Sequence, residues 1–285
     1  MENITGFIDG SDYAASVCDH AVWAAGRLNM PVSLVHVLGR PNEVSSAPAD
    51  LSGALRLGAR TALLDKLSNL DAERATLGRE RGRALLDDAA ARMRAQPDIT
   101  VSTRLRNGDL LEAIAELEHE TRFVIIGKRG EAAGFAKEHL GSNLDRAVRT
   151  SHRPVLVAAR AFRPMNRFLL AYDGSPATDR AVARMVEGSV LQGMQCHLLS
   201  VGSATPAERD RLTAAGAALR RVGYAVTEHL ETGEPEAVMT KAVTDLAVDL
   251  LVLGKSGHSR LRHLFIGSTT MELMRACKVP VLIFP

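Results

Sequence analysis

Cysteine is scarce in this sequence, and the few cysteines are scattered. Cys18, Cys196 and Cys277 are odd in number, widely separated and free of any C-x-x-C pair. Disulfide frameworks and zinc cages need cysteines in pairs or at short ligand spacing, so neither is indicated. We expect three reduced, buried thiols and no metal site.

Long apolar runs are also missing. No stretch reaches the roughly 18 residues needed to span a bilayer. The first ten residues, MENITGFIDG, carry an acid where a secretory signal peptide would carry a basic region. We therefore expect a cytoplasmic protein that does not bind membranes.

The sequence has almost no surplus of charge of either sign. It has 35 Lys and Arg against 33 Asp and Glu, a net charge of +2. Residues 1–160 contain 21 basic and 21 acidic side chains, which leaves 14 and 12 for residues 161–285. Neither half forms the basic field of a nucleic-acid binder. The balance of 46% hydrophobic and 24% charged residues is that of a globular protein, and 285 residues suggest two domains.

What the sequence does contain is an internal repeat. An apolar run ends in Asp-Gly-Ser at residues 9–11 and again at 173–175, and FVIIGKRG at 123–130 matches LLVLGKSG at 250–257. Each half continues to a Gly-Ser pair and closes with a proline followed by an apolar run. We predict two copies of one domain, residues 1–160 (the first half) and 161–285 (the second half).

Each half is predicted to be a doubly wound α/β domain. Short apolar runs alternate with helix-period stretches, and runs such as residues 250–253 are continuously apolar, as in strands buried on both faces of a parallel sheet. The fold class is therefore two tandem five-stranded parallel-sheet domains with strand order 3-2-1-4-5. The strands are predicted near 3–9, 32–38, 99–105, 122–127 and 154–159, then 167–173, 195–201, 224–230, 249–254 and 280–284; helices of the second half are predicted near 176–191, 206–222, 234–247 and 268–277. Because exposed sheet edges invite pairing, we expect the two last strands to pair with each other.

The first half is longer because of a helical insertion near residues 39–71. A turn-rich segment leads into helical residues 55–70, and a long helix follows from about 71 to 95. The favoured interpretation is an inserted helical hairpin packed over the first half. A lid over the first crevice and a dimer contact are alternatives.

Ligands of such sheets bind beyond the carboxyl ends of the strands, where the strand order reverses. Asp9 and Asp173 end the first strands there, and the Gly-x-x-Gly loops follow the fourth strands. Glycines at 254 and 257 would let backbone N–H groups approach a phosphate, and Gly267-Ser268-Thr269 would open a helix that favours an anion. The basic residues Lys255, Arg260 and Arg262 suit a triphosphate, whereas the first loop also contains Glu131 and Glu138. The glycines could alternatively mark turns, and Asp-Gly-Ser could simply cap a helix.

The spacing of the second loop resembles a known family. Gly254-x-x-Gly257, nine residues and then Gly267-Ser268 is similar to the signature of ATP-binding universal stress proteins, and the whole chain resembles a tandem member. In the first half ten residues separate Gly130 from Gly141, and Asn143 stands where Thr269 does. The resemblance implies adenine and ribose contacts at Asp173 and Val201 and phosphate contacts at Gly254, Gly257, Gly267, Ser268 and Thr269; the first-half counterparts are Asp9, Val37, Gly127, Gly130, Gly141, Ser142 and Asn143.

The resemblance implies an ATP-binding regulator of the stress response, in which nucleotide occupancy modulates conformation or partner binding. Mg²⁺ commonly accompanies ATP in such sites, although the sequence shows no carboxylate cage for it. The alternatives are a nucleotide-independent interaction scaffold and a weak ATPase. No P-loop, dinucleotide fingerprint or nucleophile elbow is present, so slow ATP hydrolysis is the most catalysis we expect. The two domains should pair within the chain, and a homodimer is left open.

Overall fold

A computed structural model describes residues 2–39, 57–96, 98–130, 142–255, 273–274 and 276–285. Within them the strands form a single ten-stranded sheet in the order β3-β2-β1-β4-β5-β10-β9-β6-β7-β8. The order 3-2-1-4-5 predicted for each half is confirmed. The strands are β1 (Asn3–Phe7), β2 (Val32–Leu38), β3 (Val101–Asn107), β4 (Thr121–Gly127), β5 (Val155–Ala158), β6 (Arg167–Ala171), β7 (Gln195–Val201), β8 (Ala225–Glu231), β9 (Leu250–Gly254) and β10 (Val281–Phe284).

Helices cover both faces of this sheet. They are α1 (Ala14–Leu28), α2 (Leu57–Arg94), α3 (Leu110–Leu117), α4 (Ser142–Thr150), α5 (Pro176–Glu187), α6 (Pro206–Arg221) and α7 (Pro235–Asp245), with a short 3-10 helix at Glu118–Glu120. The core on one face includes side chains of α1, α2, α5 and α6, and the core on the other face includes those of α3, α4 and α7. Helix α5 ends at Glu187, earlier than the predicted residue 191, where Gly188 follows it. Most of the predicted helix at 268–277 lies outside the described residues. None of the described helices has the length and apolar character needed to cross a bilayer.

The two halves join at a seam between their last strands. β5 and β10 are antiparallel, with Leu156 opposite Leu282, while every other neighbouring pair of strands is parallel. Both leucines are fully buried in the same core. The predicted pairing of the last strands is therefore confirmed, and it merges two five-stranded sheets into one.

The helical insertion differs from its prediction. Residues 57–94 form one uninterrupted helix, so a hairpin with a break near residue 70 is wrong for this part of the chain. Its carboxyl-terminal part packs on the sheet through buried residues such as Leu86, Ala90 and Met93. The expected packing over the first half is wrong for residues 65–74, which are exposed. Residues 40–56 lie outside the described residues.

The three cysteines are free and buried, as predicted. Burial raises the pKa of the Cys18 thiol to about 11 and that of Cys196 to about 12, and it also raises the pKa of Cys277. The ordinary thiol value is 9.0. The folded state therefore keeps protons that the unfolded chain releases above pH 9.

The free energy of unfolding is accordingly expected to fall as the pH rises above 9, by about 1.4 kcal/mol per pH unit for each such thiol. The contribution of a raised pKa is complete below the unfolded value and disappears as the pH approaches the folded value. Urea unfolding at pH 8 to 10 checks this, with Cys196→Ala as the matched variant. In Cys196→Ala the free energy of unfolding should fall less steeply with pH, because one thiol with a raised pKa is gone. Parallel curves for the two proteins would contradict the raised pKa of Cys196.

Candidate functional site

Two crevices lie at the carboxyl edges of the strands, one in each half. We define the second crevice by Asp173, Val201 and Gly254, and the first crevice by Asp9, Val37, Gly127 and Gly130. In each half the first strand lies between the second and the fourth, so strand order reverses beside it. This is where doubly wound sheets bind ligands.

Asp173 stands two residues beyond the end of β6, and its carboxylate is held in place by the chain that follows. Its Oδ1 accepts hydrogen bonds from the backbone N–H of Ser175 and from the hydroxyl of Thr178, both at 2.9 Å. Both of these hydrogen bonds are accepted by Oδ1, and Oδ2 accepts none from the described residues. Because Asp173 is also exposed, its Oδ2 is available to a ligand hydroxyl or amino group.

The turn after Asp173 is short because helix α5 begins at once. Gly174 has a φ of 68°, in the left-handed region that favours glycine. Ser175 then caps the helix by accepting a bond from the Thr178 N–H, and Pro176 occupies the first helical position. The alternative that Asp-Gly-Ser is a helix cap is thus correct for Ser175, while Asp173 points to the crevice edge.

Val201 presents backbone groups to the same crevice. Along β7 the backbone N–H and C=O groups of successive residues point alternately to β6 and to β8. The carbonyl of Leu199 accepts from the Tyr172 N–H on the β6 side, whereas the Gly202 N–H donates to the carbonyl of Glu231 on the β8 side. Val201 therefore turns its N–H and C=O toward the β6 side, where β6 has already ended at Ala171. A planar ligand edge could pair with these groups.

Arg211 is a crevice residue that the sequence analysis missed. A Cβ added to Gly174 would lie 3.3 Å from Arg211 Cδ and Nε, so this side chain crosses the turn that follows Asp173. Arg211 lies on α6, and no local motif links it to Asp173. It places a positive charge beside the second crevice.

Gly254 has a packing role at the end of β9. A Cβ there would lie 3.0 Å from the carbonyl carbon of Ala177 and 3.1 Å from the backbone nitrogen of Thr178. The glycine therefore allows the first turn of α5 to approach the sheet. Gly257, Gly267, Ser268 and Thr269 lie outside the described residues.

Lys255 is directed away from the expected phosphate position. Its Nζ donates to the backbone carbonyl of Ser151 at 2.8 Å, across the seam, and Lys128 reciprocally donates to the carbonyl of Cys277. Burial lowers the pKa of both ammonium groups. The expectation that Lys255 serves a triphosphate is wrong in this arrangement, because the two lysines bridge the halves instead.

The first crevice is arranged differently from the second. Asp9 Oδ1 accepts from the Ser11 N–H at 3.0 Å, and helix α1 begins only at Ala14, without a side-chain cap. Ser11 Oγ donates to the carbonyl of Arg129 at 3.4 Å, and a Cβ at Gly130 would lie 3.0 Å from Asp9 Oδ2. The loop after β4 thus lies against the turn after β1.

The other first-half positions are only partly described. Gly127 is packed against Tyr13, whose Cβ would lie 2.8 Å from an added Cβ. Val37, partly buried at the end of β2, corresponds to Val201. Gly141 lies outside the described residues, as do the side chains of Ser142 and Asn143, which begin α4.

Cofactor fit differs between the nucleotide and a metal ion. Three groups of the second crevice fit a nucleotide: Asp173 Oδ2, which accepts no hydrogen bond from the described residues, the backbone of Val201 and the charge of Arg211. Within the ranges that the structure describes, no cluster of three or more His, Cys, Asp or Glu residues could hold a metal ion.

Comparison with known proteins gives consistent matches over the whole chain. Residues 1–159 and 165–285 each match the model of the Universal stress protein family. Universal stress protein Slr1230 of Synechocystis sp. is 32% identical over 286 residues, which covers 100% of both chains. Universal stress protein MJ0577 of Methanocaldococcus jannaschii is 29% identical over 65 residues, 23% of this chain and 40% of that protein. The crystal structure of a universal stress protein from Archaeoglobus fulgidus has the same fold, with a TM-score of 0.71 at 20% identity over 99% of this chain and 96% of its own.

Proposed function

The chain belongs to the universal stress protein family, and we propose that it is a stress-response regulator in which ATP bound in the second crevice modulates conformation or partner binding. The observation that carries this proposal is the fixed carboxylate of Asp173. Two hydrogen bonds to Oδ1 hold it at the switch point of the sheet and leave Oδ2 for a ligand.

The adenosine part of ATP would lie between β6 and β7. Asp173 Oδ2 would accept a hydrogen bond from a ribose hydroxyl, and the backbone of Val201 would pair with the adenine edge. Arg211 would add electrostatic attraction for the negatively charged ligand from the rim. The family resemblance implies these roles, and the positions of the groups support them.

The phosphates would be held by the second glycine loop. Gly257, Gly267, Ser268 and Thr269 have the motif spacing, and a helix that opens at Ser268 would direct backbone N–H groups at an anion. Gly254 would contribute indirectly, by letting α5 pack closely. Mg²⁺, when bound, would neutralise phosphate charge.

A regulatory role is favoured over catalysis. The Asp173 carboxylate is hydrogen-bonded to the hydroxyl of Thr178, but Thr178 is buried, so slow hydrolysis is the most that we propose. An interaction scaffold that does not need nucleotide is the second candidate, favoured by the close contact between Gly130 and Asp9 in the first crevice.

The proposal extends to the organisation of the protein. We propose domains at residues 1–160, with the insertion near 39–71, and at 161–285. We also propose a cytoplasmic location, where the three free thiols would stay reduced. A homodimer is proposed as well.

Asp173→Asn is expected to weaken ATP binding at least about tenfold, because the acceptor facing the ribose becomes a donor. The purified full-length chain should release adenine nucleotide on denaturation and melt at a higher temperature with added ATP. Asp9→Asn is the matched control and should keep most of that shift. A nucleotide-free preparation with no ATP-induced shift would favour the scaffold instead.

A further inference from the structure

The amino-terminal part of α2 projects from the domain. Of the 16 side chains at residues 65–80, 14 are exposed, and only Ala75 and Gly78 are partly covered. At 1.5 Å per residue this projecting segment is about 24 Å long. The helix approaches the sheet from Gly82 onward, where an added Cβ would lie 2.7 Å from Leu105.

The projecting segment carries three exposed leucines on one side. Leu67, Leu70 and Leu77 are 49%, 48% and 64% exposed. With 3.6 residues per turn they fall within an arc of about 80°. The centre of that arc is roughly 140° from the side that is buried at Gly82, Leu86, Ala90 and Met93. The leucines therefore do not extend the face that packs on the chain's own sheet.

A partner on the leucine side would stabilise the projecting segment. Most of its side chains are exposed, and tertiary packing of an apolar face supplies most helical stability in proteins. Three leucines in one arc are spaced to pack between two helices, and they would otherwise expose apolar surface to water.

The charges along the segment favour one occupant. Residues 65–73 contain Asp65, Asp71 and Glu73 against Lys66, a net charge of −2, whereas residues 74–81 contain three arginines against Glu80, a net charge of +2. A second α2 running antiparallel would set the acidic part of each helix beside the basic part of the other. We propose that residues 65–81 of α2 pair antiparallel with the same segment of a second copy of this chain.

The rest of the fold is compatible with this dimer. β5 and β10 pair with each other, so neither last strand has a free edge for a second chain. The edges of the ten-stranded sheet are β3 and β8, far from the seam. A two-fold axis through the projecting segments would keep the two bodies at opposite ends of the helix pair.

The proposal is tested by the oligomeric state of the full-length chain. Sedimentation velocity over a range of protein concentrations should show a reversible dimer. Leu70→Glu with Leu77→Glu should raise its dissociation constant at least about tenfold, because four carboxylates would enter the interface. Ala72→Glu, on the opposite side of the same segment, is the matched control and should leave the dimer intact.

Two outcomes would overturn the proposal. One is a parent protein that stays monomeric at every concentration. Slow amide exchange at residues 65–80 in such a monomer would show that something other than a second copy covers this segment. The other is a dimer that the paired leucine substitutions do not weaken. Retained circular dichroism and thermal unfolding of the core would show that the variants still fold.

Crosslinking tests the antiparallel orientation. In a mixture of Lys66→Cys and Glu80→Cys chains, oxidation should join one chain of each kind, because antiparallel helices bring position 66 beside position 80. The native cysteines are buried and should not compete. Crosslinks formed mainly between two Lys66→Cys chains would show a parallel pair and contradict the charge argument.

Discussion

Replacing Gly257 with valine is expected to remove most ATP binding, a loss of at least about tenfold, while Gly130→Val should cost less. A hydrogen bond to a charged group contributes about 1.5–3 kcal/mol, so a loop that loses one backbone donor to phosphate loses about that much binding. A branched side chain at 257 would block close approach of the backbone to the anion. The second loop also has the family spacing between Gly257 and Gly267.

The first loop has reasons to bind ATP less tightly. It is one residue longer, it contains two acids, Glu131 and Glu138, and its Gly130 lies against Asp9. Gly130→Val would push on the Asp9 carboxylate of the first crevice. Its effect on total ATP binding should therefore be small.

Calorimetric titration of the parent and both variants with ATP decides between the crevices. The parent should show one dominant binding event that Gly257→Val abolishes and Gly130→Val preserves. Equal losses in the two variants, or a larger loss at Gly130, would overturn the ranking of the crevices. Thermal unfolding without nucleotide is the control for folding.

Leu282→Ala is expected to lower the free energy of unfolding by about 2–5 kcal/mol. Leu282 is fully buried at the seam, paired with the equally buried Leu156 of the other half. Removing its side chain leaves a cavity beside β5 and β10. The neighbouring strands β4 and β9 hold these two strands in place, so they cannot move to fill it. Because the sheet runs through the seam, we expect both halves to be affected together.

Urea unfolding measures this effect, with Leu282→Met as the control at the same position. Methionine keeps most of the volume, so its cost should stay below about 1.5 kcal/mol. Leu156→Ala should act like Leu282→Ala, and the double variant should lose less than the two single losses added together, since both open one cavity. A loss below that of the methionine variant, or additive losses, would show that the seam is not a shared core.

The strands were the best predicted part of the protein, and the reason is local. Apolar runs such as residues 250–253 and 281–284 are buried on both faces, so the sequence itself marks them as central strands. The order 3-2-1-4-5 was predicted because it is common in doubly wound domains, and the repeat extended it to both halves. The insertion was predicted less well, because residues 65–80 have helical composition with no signal for what they pack against.

The two crevices show the limit of motif reasoning. Both halves contain Asp-Gly-Ser, yet Asp173 is held by Thr178 and an early helix, whereas Asp9 is followed by a longer turn. Pro176 after the motif in the second half is the local signal for the early helix. Nothing comparable in the sequence revealed Arg211.

The sequence by itself determined the tandem repeat, the parallel α/β class, the positions of the ten strands and the two acids at the switch points. These features depend on residue patterns within a few positions of each other. Only the tertiary structure decided the reach of Lys128 and Lys255 across the seam, the position of Arg211 over the Asp173 turn, and the exposure of the leucines on α2. Each of these depends on which distant segments the folded chain brings together or leaves apart. The spacing of residues along the sequence does not predict such long-range contacts.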